Sequence, residues 1–336
     1  MIERRAASPA AVAHAAALLH AGKLVAFPTE TVYGLGARAD EEAAVRAIFA
    51  AKGRPATNPL IVHVPDVAAA RALAETFPPE AEALARAFWP GPLTLVLERR
   101  LGAVANAAAA GGPTVAVRVP AHPVALALLR AAALPIAAPS ANRSTSISPT
   151  TADHVVKSLG GRIDLVLDGG PTGGASGHGI ESTIVDVSRS PAVLLRLGAL
   201  PLEALRAHAN VVDPGAIVVP AGERAAAPGS QERHYAPRAR VVMTAPASVH
   251  DEVEKLRAHG LVTGALERSP ATVTTGPHET LPADAPGYAA HLYEALHRLE
   301  DAGCDAIVIA IVPDSAAWAA VRDRLKRAAA PESRGE

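Results

Sequence analysis

The chain has 336 residues, 49% hydrophobic and 19% charged, which is too long for one small core and suits two domains. A formal net charge of −1 argues against a general nucleic-acid binder, which needs a surplus of Lys and Arg, and leaves room only for a local basic pocket. One cysteine, Cys304, excludes an internal disulfide and a cysteine-cluster metal site, and points to a reducing setting. Aromatic residues are only 3%, so the core has to be built from Ala, Val, Leu and Ile. No stretch reaches the ~20 apolar residues of a membrane span, and the expectation is a soluble, cytoplasmic protein.

In chain order, the first segment reads as an amphipathic helix capped by Ser8 with Pro9 in its first turn, not as a secretory leader. LVAF (Leu24–Phe27), LIVHV (Leu60–Val64), LTLVL (Leu93–Leu97), TVAVRV (Thr114–Val119), LVLD (Leu165–Asp168) and STIVDV (Ser182–Val187) read as strands. EEAAVRAIFA, PEAEALARAF, HPVALALLR and TADHVVKSL, which lie between them, read as helices. The irregular order predicts an α+β or mixed-sheet class rather than a simple doubly wound sheet. The Pro, Gly and Ala-rich stretch over 206–238 reads as a linker. Beyond it, ARVVM, LVTGA, ATVTT and DAIVIAIV alternate with helices, notably PGYAAHLYEALHRLEDAG closed by Gly303. That is a compact α/β domain of roughly 100 residues.

Chemistry-bearing residues are scattered along these elements. In TVAVRV, Thr114, Ala116 and Arg118 share one strand face, and a buried arginine there needs an anionic partner. The alternative is an edge strand with Arg118 in solvent. His63 faces away from Leu60, Val62 and Val64, either as a satisfied core histidine or as a ligand contact. In KGRPATNP, Lys52 and Arg54 flank Gly53 and would suit a polyphosphate; the plain alternative is a solvated basic loop. There is no Walker A sequence and no G-x-G-x-x-G between strand and helix, so a nucleotide would need another device. APSANRSTSISPT (Ala138–Thr150) offers hydroxyls and amides for phosphate or ribose, or is a turn and capping cluster.

Taken together, PTETVYGLG, KGRPATNPLIVHV, TVAVRVP, APSAN, DGGP, GIESTIVD, LLRLG and RHYAP, in that order, closely resemble the threonylcarbamoyl-adenylate synthase family in its long form. The resemblance covers nearly the whole chain, most densely in the first domain and at RHYAP. It implies a YrdC-type catalytic domain at 1–205, a linker or lid at 206–238, and a smaller Rossmann-like α/β domain at 239–336. It also implies a nucleotidyltransferase joining L-threonine, bicarbonate and ATP into threonylcarbamoyl-adenylate and pyrophosphate. A tRNA threonylcarbamoyl transferase would act downstream, with a weak RNA contact among the expected partners. Lys52 and Arg54 match the catalytic pair that holds the ATP phosphates, with Mg²⁺ carried on ATP and no metal cluster of the protein's own. Asn58, Thr114, Ser140, Asn142, Ser148 and Arg196 match ATP contacts, and Tyr235 matches a linker residue folded over the nucleotide. Thr31, His63, Arg118 and Ser182, with the backbone of Ala138, match threonine contacts. Glu181 is expected only to support its strand. The chain departs from the family pattern at Thr145, where glycine is common, and in the longer 171–179 loop. Two other readings stand beside this one: an RNA-binding module of the same domain type, and an enzyme forming a carbamoyl adenylate.

Overall fold

Ser8 caps the first helix, α1 (Pro9–His20), by accepting from the Ala11 N–H, and Pro9 fills the first turn, where no intrahelical donor is needed. In the computed structural model, residues 2–174, 177–215 and 233–331 are described. Most of the expected linker, residues 216–232, lies outside them, as do residues 332–336 of the last domain.

Eleven strands form one mixed sheet. In chain order they are β1 (Glu3–Ala6), β2 (Val25–Pro28), β3 (Tyr33–Arg38), β4 (Ile61–His63), β5 (Leu93–Glu98), β6 (Thr114–Arg118), β7 (Ile136–Ala137), β8 (Leu165–Asp168), β9 (Thr183–Asp186), β10 (Ala192–Arg196) and β11 (Val211–Val212). Across the sheet the order is β1-β8-β2-β3-β7-β4-β6-β5-β9-β10-β11, mixing parallel and antiparallel neighbours as the irregular sequence order predicted. The sequence reading missed β1, β3, β7, β10 and β11, and with β11 the sheet runs on to Val212, past the boundary placed at 205. Helix α1 and α5 (Pro123–Ala132) cover one face around Val25, Phe27 and Leu167. The other face packs on α2 (Glu42–Lys52), α3 (Val67–Leu73), α4 (Pro79–Phe88) and α6 (Ala152–Leu159), using Leu, Val and Ala almost alone.

The C-terminal part, beyond the short helix α7 (Leu202–Arg206), holds a separate, wholly parallel sheet. It consists of β12 (Arg240–Thr244), β13 (Thr263–Arg268), β14 (His278–Leu281) and β15 (Ala306–Ala310), in the order β12-β15-β13-β14. Helix α8 (Val249–Ala258) covers one face; α9 (Ala285–Asp301) and α10 (Ala319–Ala329) cover the other. The expected strand ATVTT is absent. The Glu267 carboxylate accepts from the N–H groups of Thr272 and Val273 (2.9 and 2.8 Å) and from the Thr272 hydroxyl (2.7 Å). Those backbone donors are therefore engaged by a side chain, and the fourth strand forms further on at His278. The α9 and α10 core is continuous with Val32, Ile147, Ile180 and Tyr235, so this domain docks beside the cluster of polar side chains on the large sheet.

Candidate active site

Strands β4 and β6 run parallel and pair His63 with Arg118 in register, so these two residues stand side by side on one face. Strand β6 lies between β4 and β5, which excludes the solvent-edge reading of Arg118. Its side chain is buried and its Nη2 forms an ion pair with Glu30 Oε1 at 2.7 Å. Nη1 donates to Thr31 Oγ1 at 3.1 Å and Nε to the Gly91 carbonyl at 3.3 Å. The anion that a buried arginine requires is thus already inside the protein, in the PTET turn. His63 is buried with Nδ1 making no hydrogen bond. Burial, reinforced by the Arg118 charge, pushes its pKa down to about 3, so the ring is neutral at physiological pH. The Ser182 hydroxyl at the start of β9 is fixed twice within this domain, by Thr94 Oγ1 at 2.8 Å and by Arg196 Nη2 at 3.1 Å. Gly198 packs on this segment so closely that a Cβ would sit 2.4 Å from the Ser182 carbonyl carbon.

The other end is cationic. Helix α2 stops at Lys52 because Gly53 adopts φ 62°, and this left-handed turn carries both Lys52 and Arg54 inward. Lys52 Nζ donates to the carbonyls of Ser140 and Asn142, each at 2.5 Å, and Arg54 Nη2 donates to the Pro59 carbonyl at 2.9 Å. The solvated-loop alternative therefore fails. Burial, then the neighbouring Arg54, pushes the Lys52 ammonium well below its usual pKa; burial also brings Arg54 down to about 10. Neither cation meets a carboxylate among the described residues. Two buried charges held only by neutral oxygens are a site arranged for an anion. Beside them both side-chain atoms of the buried Asn58 amide make no hydrogen bond.

Between the two ends, the Glu181 carboxylate accepts from Ser148 Oγ at 2.6 Å, Tyr293 OH at 2.8 Å and Arg324 Nε at 2.9 Å. Burial acts to raise its pKa, but Arg324, Arg196 and the hydrogen bonds outweigh that and hold it below the usual carboxylate range. Tyr235 is buried in the cleft, with the Arg324 guanidinium 5.0 Å from its ring centroid. Thr145 takes φ 68°, the backbone a glycine would have, and its carbonyl accepts from the Ala236 N–H at 2.9 Å. The loop at Thr145 is thus tied through its backbone to RHYAP.

The cleft wall contains Thr31, Arg54, His63, Arg118, Ala138, Ser140, Ser182, Arg196 and Tyr235. Lys52, Asn142 and Ser148 stand one layer behind, joined to it through Ser140 and Glu181. Asn58 lies behind Arg54, whose Nε donates to the Asn58 carbonyl at 3.2 Å. Thr114, at the opposite end of β6 from Arg118, is outside the wall. With Tyr235 and His234 among its lining residues, the cavity is only about 50 Å³, smaller than the several hundred of a typical small-molecule site. Sequence reasoning missed Glu30, Thr94, Tyr293 and Arg324. Glu30 sits in a quoted motif as its only carboxylate, a signal that was available. Arg324 falls on the stripe of Val321, Leu325 and Ala328, the buried face of α10, so helical periodicity also marked it.

Among the described residues, no group of three or more His, Cys, Asp or Glu side chains is placed to hold a metal ion, and no helix is long and apolar enough to cross a membrane. A family model described as "Telomere recombination" matches residues 17–198, and one described as "Threonylcarbamoyl-AMP synthase, C-terminal domain" matches residues 200–330. The chain is 42% identical to a threonylcarbamoyl-AMP synthase of Pyrococcus abyssi over 94% of its own length and 92% of the relative's. It is 40% identical to that of Bacillus subtilis over 95% and 92%. A solved structure of P. abyssi Sua5 complexed with L-threonine superimposes with a TM-score of 0.89 at 39% identity, covering 98% of this chain and 97% of that one.

Proposed function

The chain belongs to the Sua5/YciO/YrdC family and carries the threonylcarbamoyl-AMP synthase C-terminal domain, and from that premise we propose how its cleft makes threonylcarbamoyl-AMP from L-threonine, bicarbonate and ATP. The carrying observation is a single cleft with the Arg118 guanidinium, paired with Glu30, at one end and Arg54 at the other, Lys52 standing directly behind that end through the Ser140 carbonyl.

In this reading Arg118 takes the threonine carboxylate as a planar fork while Glu30 keeps it oriented. Thr31, Ser182 and the neutral His63 surround the rest of the amino acid. The threonine amine joins bicarbonate with loss of water, giving an N-carboxylate. That carboxylate attacks the α-phosphate, and pyrophosphate leaves. Lys52 and Arg54 hold the phosphates and stabilise charge building on the departing group, so positioning and electrostatics account for the catalysis. Mg²⁺ arrives on ATP as part of the substrate, because the one carboxylate in the cleft wall, Glu181, is already taken by three donors. Tyr235 and the segment around it move aside for ATP and return over it, shielding a labile intermediate from water. The product would feed a transferase that modifies a tRNA adenosine beside the anticodon.

Incubation with ATP, L-threonine and ¹³C-bicarbonate, followed by mass spectrometry, tests the reaction. Threonylcarbamoyl-AMP carrying the label is expected, and omission of any one substrate should remove it. Threonyl-AMP without the label would refute the reading.

A further inference from the structure

The Glu181 carboxylate is the only point at which the nucleotide end of the cleft and the C-terminal domain share one buried ion pair among the described residues. One oxygen accepts from Ser148 of the catalytic domain; the other accepts from Tyr293 on α9 and Arg324 on α10. Arg324 is only 1% exposed. Its Nη1 is held by Asp323 Oδ2 at 2.9 Å, and Asp323 also receives Arg327 Nε at 2.9 Å. The Tyr235 ring centroid lies 5.0 Å from this guanidinium, and its ring stacks with that of Tyr293 at 5.8 Å. Two side chains of the C-terminal domain therefore fix Glu181, Ser148 and Tyr235 together. By contrast, Ser182, the next residue along the chain, is anchored from within the catalytic domain by Thr94 and Arg196. Among the described residues, Arg118 and His63 likewise make no hydrogen bond or ion pair with α9 or α10.

We propose that Arg324 and Tyr293 are positioning residues of the adenylate-forming site, so that the C-terminal domain sets the geometry of the nucleotide end of the cleft through buried polar contacts, whereas it meets the threonine end through apolar packing at Val32. The physical basis is the cost of leaving a buried carboxylate unpaired. Without Arg324, the buried Glu181 carboxylate loses its guanidinium partner, and Ser148, which donates to that carboxylate, loses a fixed acceptor. This rests on the reaction proposed above only for its turnover readout; the affinity readout stands without it.

The test uses the full chain with Arg324→Leu, Arg324→Lys and Tyr293→Phe. Binding of α,β-methylene-ATP and of L-threonine is measured separately by calorimetry, alongside KM and kcat for adenylate formation. Arg324→Leu should weaken nucleotide binding about tenfold or more, with a matching rise in KM for ATP, while L-threonine affinity stays within about twofold. Arg324→Lys should recover part of the loss, and Tyr293→Phe, which removes one hydrogen bond and keeps the ring, should show a smaller loss of the same kind. Unchanged nucleotide affinity in a folded Arg324→Leu protein overturns the proposal, as does a parallel loss of both affinities that follows the fall in Tm. Should Arg324→Leu not fold, Tyr293→Phe decides: nucleotide affinity equal to the parent's overturns the proposal. If the parent itself makes no threonylcarbamoyl-AMP, the assigned reaction fails, while the nucleotide-affinity comparison still decides whether the C-terminal domain positions this end.

Discussion

Arg118 has two anions in this account, Glu30 always and the threonine carboxylate when bound, and the two demands can be separated. Removing Arg118 alone leaves Glu30 buried and unpaired, a defect that costs about 3–5 kcal/mol. A single Arg118→Gln variant would therefore lose threonine and unfold early, and its loss of activity would say little. The double variant Glu30→Gln, Arg118→Gln removes both charges and keeps side chains of comparable shape, so most of the stability should return, to within about 2 kcal/mol of the parent. Threonine recognition should not return. A charge-assisted pair of hydrogen bonds to a carboxylate contributes about 1.5–3 kcal/mol, so L-threonine should bind roughly 10–150-fold more weakly. Urea unfolding and calorimetric titration with L-threonine measure both quantities on the same sample. A double variant that is stable and binds L-threonine like the parent would refute the carboxylate clamp. A single Arg118→Gln variant as stable as the parent would refute the claim that Glu30 depends on it.

Three further outcomes are expected. Burial and Arg54 depress the Lys52 pKa in the free protein, and a polyphosphate opposes that shift, so proton uptake on ATP binding should grow as pH rises. Titration in buffers of different ionisation enthalpy measures this uptake; Lys52→Met should abolish it, and buffer-independent heats in the parent would contradict the assignment. His154 on α6 stacks on His297 on α9 at 3.7 Å, with Lys157, Glu294, Glu300 and Asp301 around the pair. Burial lowers both rings, His154 to about 4, so the stability they supply is complete above the unfolded value near 6.5 and is lost as pH falls toward 4. The fall in Tm from pH 7.5 to 5 should thus be smaller in His154→Phe, and an identical fall would count against it. Thr145 is a β-branched residue at φ 68°, so Thr145→Gly should stabilise the protein by up to about 1 kcal/mol in urea unfolding; a clear destabilisation would show that the loop does not carry that strain.

Where short-range pattern decides, the fold was legible. The Ser8 cap, the run LTLVL and the helix PEAEALARAF stand where the sequence puts them, because capping and period act within a few residues. Strand β3 begins within PTETVYGLG, where Gly34 and Gly36 interrupt the apolar run that marks a strand. ATVTT has the composition of a strand, but Glu267 takes its donors, a choice that only the folded chain reveals. At the site, Lys52 and Arg54 gave weak signals alone and gained meaning from the ordered motifs. Their inward direction depends on the left-handed turn at Gly53. The pairing of His63 with Arg118 needed strand register, which links segments far apart in the chain. Tyr293 and Arg324 lie where family motifs thin out; periodicity puts Arg324 on the buried stripe of α10, but its partner Glu181 comes from docking between the domains.

The claim beneath all of this is that one cleft gathers an amino acid and a nucleoside triphosphate so that a single carboxylate can bridge nitrogen and phosphorus. A crystal structure of the full chain with L-threonine and α,β-methylene-ATP bound together measures it directly. The account predicts the threonine carboxylate on Arg118, the phosphates on Lys52 and Arg54, and the amine facing the α-phosphorus. A nucleotide seated elsewhere, or threonine turned with its amine away from the phosphates, would contradict it.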